Sequence, residues 1–199
     1  MKRKKSIYIV LFFCFLALNV HAQNWNINLL TQINPRYPTN QTWKTLSSTA
    51  EPLAISVPLG MVAVALIEEN KKSELKSYEV AASLLLTVAA TGGLKIIVKE
   101  ARPYQTYPNL IHPDEYDYGN SFPSAHTSMA FSTATSVFLN YKKWYVAVPL
   151  YAWAAGVGYS RMYLGQHYPI DVLAGAAVGA GSAWICHLAN KKFISKKKK

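Results

Sequence analysis

Arg161, His167 and Asp171 fall within the twelve-residue stretch SRMYLGQHYPID, in an otherwise apolar part of the chain. Each of these side chains is costly in a core or beside lipid unless it is paired or used, so their grouping calls for a role. His167 and Asp171 are four apart. On one helix, with Pro169 in its first turn, the carboxylate would hold the imidazole in a chosen tautomer and favour its charged form. An oriented histidine of this kind follows the logic of an activated nucleophile or base. A structural His–Asp pair is the alternative, and Arg161 stands against it, having no stabilising reason to join the same turn. A second cluster is SFPSAHTSMAF. Pro123 fits the first turn of a helix, which would place Ser124, Ala125 and His126 where backbone N–H groups are free and the helix dipole is positive, a site suited to an anion. The third is KIIVKEARP, where a helix continued through the segment would put Lys95 and Arg102 on one face, two turns apart. Alone, that pair reads as a membrane-surface anchor.

Taken in order, the clusters spell Lys-x6-Arg-Pro, Pro-Ser-x-His and Ser-Arg-x5-His-x3-Asp. This set resembles the type 2 phosphatidic acid phosphatase (PAP2) superfamily, which includes class A acid phosphatases and vanadium haloperoxidases, over roughly residues 52 to 190. The family's Pro-Ser-Gly-His is Pro-Ser-Ala-His here; Ala125 keeps the backbone N–H of the glycine it replaces. The resemblance implies that Lys95, Arg102 and Arg161 clamp the phosphate oxygens, with hydrogen bonds from Ser124 and the Ala125 N–H. It implies that His167 attacks phosphorus, that Asp171 orients it, and that His126 protonates the leaving alkoxide and then deprotonates water. Three cations would supply the charge stabilisation that a metal supplies elsewhere, so no metal or cofactor is expected. Asp114, Glu115 and Asp117 lack calcium-loop spacing and are expected to decorate a solvated loop.

These side chains must be carried by helices. The chain has 199 residues, room for one domain; 51% are hydrophobic and only 16% charged, below the usual soluble share. A mean hydropathy of only +0.06 means that the membrane signal must come from local runs. Five such runs occur, at about 52 to 67, 80 to 98, 124 to 140, 144 to 159 and 172 to 189, several of them short for a span. The expected fold is an all-α, membrane-embedded bundle of the PAP2/haloperoxidase type, with about five transmembrane helices. Residues 1–22 read as a signal peptide or signal anchor. Residues 23–51 are a polar lead-in at the membrane interface, 52–190 the catalytic domain and 191–199 a basic cytoplasmic tail. Ala154 with Gly158, and Gly175 with Gly179, suit close helix contact in lipid. The net charge of +11 comes from basic residues at ends and turns, not interleaved with aromatics, so no nucleic-acid partner is expected. Two cysteines, Cys14 and Cys186, offer neither a disulfide framework nor a thiolate metal site.

With the mature N-terminus outside, eleven lysines fall in the inner segments: Lys71, Lys72, Lys76, Lys142, Lys143, Lys191, Lys192 and Lys196 to Lys199. All three clusters then lie at the outer face. The sequence thus predicts a multi-pass bacterial inner-membrane phosphatase facing the periplasm, acting on a lipid phosphate such as lipid A or undecaprenyl diphosphate. Two rivals are a soluble periplasmic acid phosphatase for small esters and a non-catalytic membrane scaffold of the same fold.

Overall fold

The computed structural model describes residues 25–196, and those residues are helical with no strand among them. The predicted leader over residues 1–22 lies outside the described residues. Helix α1 covers residues 25–33. It is followed by α2 (Gln41–Ser48), α3 (Ala50–Ile67), α4 (Lys71–Val98), α5 (Pro103–Thr106), α6 (Ala125–Tyr141), α7 (Trp144–Tyr163) and α8 (Pro169–Lys196). Each of the five apolar runs folds as one long helix, α3, α4, α6, α7 and α8. Local chemistry sets several ends: the Asn40 side chain caps α2 at Thr42 N (2.9 Å), and Asn70 caps α4 at Lys72 N (3.1 Å) and Ser73 N (3.2 Å). Capping by Asn70 starts α4 well ahead of its apolar run.

Ala50–Ile67, Lys71–Thr106 and Pro169–Lys192 are long and apolar enough to cross a membrane. Their outward faces are greasy: Leu59 and Ile67 on α3, Leu85 and Ile97 on α4, and Leu173 and Ile185 on α8 are all exposed. Polar side chains lie inside instead. Helix α6 is the centre of the bundle, and Thr127, Ser128, Ser132, Thr133, Thr135 and Ser136 are all buried on it. A helix walled by its neighbours needs no apolar surface for lipid. Small hydroxyls serve there by bonding back to the helix, as Ser136 Oγ does to Ser132 O (2.7 Å), or across it, as Thr87 Oγ1 does to Ser132 Oγ (2.9 Å).

The α6–α8 contact is the closest. A Cβ on Gly175 would stand 2.7 Å from Ser124 O, and one on Gly179 would stand 2.0 Å from Ser128 O. Glycine at these two positions lets the backbones meet, as their spacing predicts, and it sets the N-terminus of α6 directly against the start of α8.

Candidate active site

Four helix ends meet at one end of the bundle: the C-termini of α4 and α7 and the N-termini of α6 and α8. The first correction to the sequence expectation lies here. Helix α4 does not continue to Arg102; it stops at Val98, and Lys99 turns the chain in a left-handed conformation (φ 53°). Arg102 is extended (φ −70°, ψ 154°), as the following Pro103 requires. Lys95 and Arg102 therefore reach the site from a helix and from a loop. Both hold the segment that follows: Lys95 Nζ donates to Asn120 O and to Ser121 O (3.2 Å). Arg102 donates from Nε to Gly119 O (3.0 Å), from Nη1 to Gln166 O (3.0 Å) and Gln166 Oε1 (3.2 Å), and from Nη2 to Asp117.

Arg161 differs. Its Nη1 donates to Ser47 Oγ (2.9 Å), while its Nε is buried with no hydrogen-bond partner among the described residues. Of the three cations it has the donor best placed to receive an anion.

His167 is 2% exposed and sits just ahead of α8, so it does not share a helix with Asp171, although Pro169 does open that helix. Gly165, at φ +68°, makes the turn out of α7 that delivers it. Its Nδ1 lies 3.3 Å from Asp171 Oδ2 and 3.3 Å from Ser121 Oγ. With Asp171 ionised its oxygens only accept, which assigns the proton to Nδ1 and the lone pair to Nε2. Asp171 Oδ2 is itself held by Ser121 Oγ (2.6 Å) and Tyr168 N (2.9 Å); Oδ1 is buried and receives no donor among the described residues, and the Glu100 carboxyl stands against Asp171 within hydrogen-bond reach. Complete burial, and then the charges of Arg161, Arg102 and Lys95, push the His167 imidazole well below its ordinary range. This reverses the expectation that Asp171 favours the charged form. The ring is neutral and its Nε2 is free to act as a nucleophile.

Pro123 precedes the cap rather than entering the first turn: Ser124 is the N-cap of α6, with Ala125 and His126 as its first helical residues. Ser124 is fully buried, its N–H donating to Asp171 O (3.1 Å) and its Oγ accepting from Thr127 Oγ1 (2.9 Å). His126 Nε2 is 3.6 Å from Glu51 Oε1.

Of the three acidic residues expected on a solvated loop, Glu115 and Asp117 are exposed, while Asp114 and Asp117 also make ion pairs that hold the site. Asp114 pairs with Lys44. Asp117 pairs with Arg102, and although burial pushes its carboxyl up, the Gly119 N–H and the Arg102, Arg161 and Lys95 charges hold it below the usual range. The lead-in is also more than an interfacial segment. Asn34 Nδ2 donates to His112 O (2.9 Å) and Tyr163 O (2.8 Å), and Leu30 is buried against Tyr104, Ile111 and Tyr168. Helix α2 stacks Trp43 on Tyr159 (centroids 4.6 Å) and so brings Ser47 to Arg161. With His126, Arg161 and the 114–118 loop it encloses a cavity of about 740 Å³. Ser121 and Ser47 were not among the residues picked out from the sequence.

The profile described as the PAP2 superfamily matches residues 77–195. The bacitracin transport permease protein BcrC of Bacillus licheniformis is 36% identical over 138 residues, covering 67% of this chain and 64% of its own length. The lipid A 4′-phosphatase of Bacteroides thetaiotaomicron is 32% identical over 78 residues, 39% of this chain and 35% of that one. The chain thus spans less than two-thirds of the length of either relative. Its fold matches the crystal structure of a transmembrane PAP2-type phosphatidylglycerolphosphate phosphatase from Bacillus subtilis with a TM-score of 0.67 and 22% identity, over 94% of this chain and 96% of that one. With three helices fit to cross a membrane, this is a multi-pass membrane protein of all-α architecture. The match over residues 77–195, which contains every motif residue described above, makes the chain a member of the PAP2 superfamily.

Proposed function

We propose that the protein is a metal-independent phosphatase that hydrolyses a lipid phosphate ester, lipid A or undecaprenyl diphosphate, through a phosphohistidine on His167. The observation that carries this is a buried, neutral histidine whose Nδ1 proton is committed to Asp171 and Ser121 and which feels three positive charges. Its Nε2 attacks phosphorus while Arg161, joined by Lys95 and Arg102, offsets the charge on the phosphoryl oxygens. The P–O bond to the leaving group breaks, and His126 gives that oxygen a proton. Burial and the Arg161 and Arg102 charges push His126 down to about 4 in the free protein, so it holds that proton only beside the bound phosphate anion. Water then gives a proton to His126 and attacks phosphorus, the P–N bond breaks, and phosphate leaves. Asp171 keeps the Nδ1 proton in place throughout and stabilises the positive ring that exists in the intermediate.

Sidedness follows from charge. Lys71, Lys72, Lys76, Lys142 and Lys143 lie at the ends of α4, α6 and α7 remote from the site, which on the positive-inside rule turns the site to the periplasmic face of the inner membrane. The test is to trap labelled phosphate on purified protein by alkaline quench. Label retained by the wild type and absent from His167→Ala is expected; label retained equally by His167→Ala removes the nucleophile assignment.

A further inference from the structure

Resting on the phosphatase reading, we infer that the cavity between α2 and the 114–118 loop is a subsite for the leaving group, and that it takes an uncharged, hydroxyl-rich group: the substrate is a saccharide-bearing lipid phosphomonoester rather than a polyprenyl diphosphate or a diacylglycerol phosphate. His126, which would protonate the leaving oxygen, and Arg161 both line the cavity, so whatever leaves the phosphorus leaves into it. At about 740 Å³ it is far larger than a phosphate needs and falls in the range of pockets that hold whole small molecules.

The cavity wall carries the chemistry of hydroxyl recognition. Gln41, Thr45 and Ser48 recur at helical spacing on the exposed face of α2 and give it amide and hydroxyl groups, while Trp43 and Leu46 on the other side pack against the bundle. Opposite them stand Asp114, Glu115 and Asp117, which can only accept hydrogen bonds and so match ligand hydroxyls, which can donate them. Tyr116 and Tyr118, 74% and 95% exposed, offer ring faces at the rim. Asp114 is already paired with Lys44 and Asp117 with Arg102, so of the cavity's lysines and arginines only Arg161, which the reacting phosphate itself needs, lacks a carboxylate partner among the described residues, and none is left for a second phosphate. A diphosphate substrate would leave just such a group behind. An acyl or polyprenyl chain would meet Leu164 as the one aliphatic side chain there, beside the rings of Tyr116 and Tyr118; the apolar groove of the bundle, lined by Leu53, Val57, Met61 and Trp153, lies along α3 and α7 instead.

The wall is fixed in place. Asp114 N donates to Leu164 O (3.1 Å), Gln166 Nε2 to Glu115 O (2.6 Å) and Asp117 N to Tyr104 Oη (2.9 Å), so the acidic side chains are presented by a pinned backbone. Five of the fourteen residues lining the subsite come from α2, which lies ahead of the family match at 77–195, so part of this selectivity belongs to the chain's own lead-in.

The experiment compares kcat/KM of the full chain in detergent on monophosphorylated lipid A, undecaprenyl diphosphate, phosphatidate and p-nitrophenyl phosphate. The sugar lipid should be favoured over the other two lipids by about tenfold or more, the scale expected when a site's polar groups are left unpaired by the wrong ligand. Thr45→Trp, an exposed position whose new ring fills the cavity, should lower the ratio of sugar-lipid to nitrophenyl ester turnover by about tenfold. Gln41→Ala, which adds no bulk, should move that ratio the same way by a smaller factor. Equal or greater activity on undecaprenyl diphosphate or phosphatidate, or a ratio unmoved by both variants, overturns the subsite. Hydrolysis of none of the four compounds overturns the phosphatase reading itself.

Discussion

Two buried histidine–carboxylate pairs lie at opposite ends of this bundle, and they are built to opposite specifications. At the remote end, His187 Nδ1 donates to Glu79 Oε1 (2.7 Å), Asn140 Nδ2 donates to the same oxygen (2.8 Å), and Asn190 Nδ2 donates to Oε2 (2.5 Å). Three helices, α4, α6 and α8, are tied through one carboxylate whose two oxygens are both satisfied. At the site end, the His167–Asp171 contact is longer (3.3 Å), Asp171 Oδ1 receives no donor among the described residues, Asp171 is crowded by a second carboxyl, that of Glu100, and three cations act on the imidazole. A fully satisfied network rigidifies and locks helix register; an incompletely satisfied one surrounded by surplus charge is poised for a ligand. On the proposed mechanism the same two residue types serve packing in one place and chemistry in the other, and the difference lies in what completes the hydrogen bonds.

The largest effect that would break this comparison is on turnover. His167→Ala should lower kcat/KM by about 10⁴-fold or more, because the proposed nucleophile is lost, while His187→Ala should change it only a few-fold. Comparable losses from the two variants would mean that the remote pair takes part in the chemistry. The acid side of the rate profile sharpens the point. The folded-state pKa of His167 is depressed, so the ring stays neutral as pH falls through the usual imidazole value of about 6.5, and the loss of kcat/KM caused by its protonation should come only at lower pH. A wild-type acid limb centred near 6.5 on a substrate with no ionisation there would contradict the environment described for this ring. For His126→Ala the expected loss is roughly 10²–10⁴-fold on alkyl phosphates and clearly less on a nitrophenyl ester, whose leaving group needs no proton. Equal losses on both would remove the general-acid role.

The candidate site was legible because its residues are grouped in three short segments that the fold brings to one end of the bundle. Arg161, His167 and Asp171 can be read together because one turn and one helix start carry them all. What sequence reading lost was what joins distant segments: Ser47 reaches Arg161 from 114 positions away, and Ser121 reaches Asp171 from fifty. No periodicity marks either serine. Other misses did have a signal. Pro103 forbids a helical Arg102, so the expected continuation of α4 could have been rejected from the Arg-Pro pair alone. Asn40 ahead of QTWKTLSS is a helix start, and the polar face at Gln41, Thr45 and Ser48 was visible once α2 is drawn. The remote pair shows the other kind of limit. Glu79 sits at the polar start of α4, ahead of the apolar run, and its burial depends on α6 and α8 arriving with Asn140, His187 and Asn190.

Glu79→Ala is the matching test of the remote end. It strands His187 and two asparagine side chains without their acceptor, and each buried polar group left unsatisfied costs about 1–3 kcal/mol. The thermal midpoint in detergent should fall markedly, with kcat on the folded fraction at low temperature close to wild type. A variant as stable as the wild type would show that the three-helix tie carries no stability, and the contrast drawn between the two ends would fail on that side.

The smallest effect concerns Ser121, the residue at the site end that stands where the asparagines stand at the other. It is fully buried, donates to Asp171 Oδ2 (2.6 Å) and offers its own oxygen to the Nδ1 proton of His167 (3.3 Å). Ser121→Ala removes both bonds at once but leaves the cations untouched, so phosphate should still bind. A hydrogen bond to a charged group is worth about 1.5–3 kcal/mol, which sets the expected loss in kcat at roughly ten- to a hundredfold, with KM little changed. Ser121→Thr, which keeps the hydroxyl, should recover part of it. If Ser121→Ala instead raised KM with kcat intact, the serine would be serving the substrate rather than the imidazole. The site pair would then be oriented by Asp171 and the Tyr168 N–H alone, and the comparison with the fully tied remote pair would be sharper still.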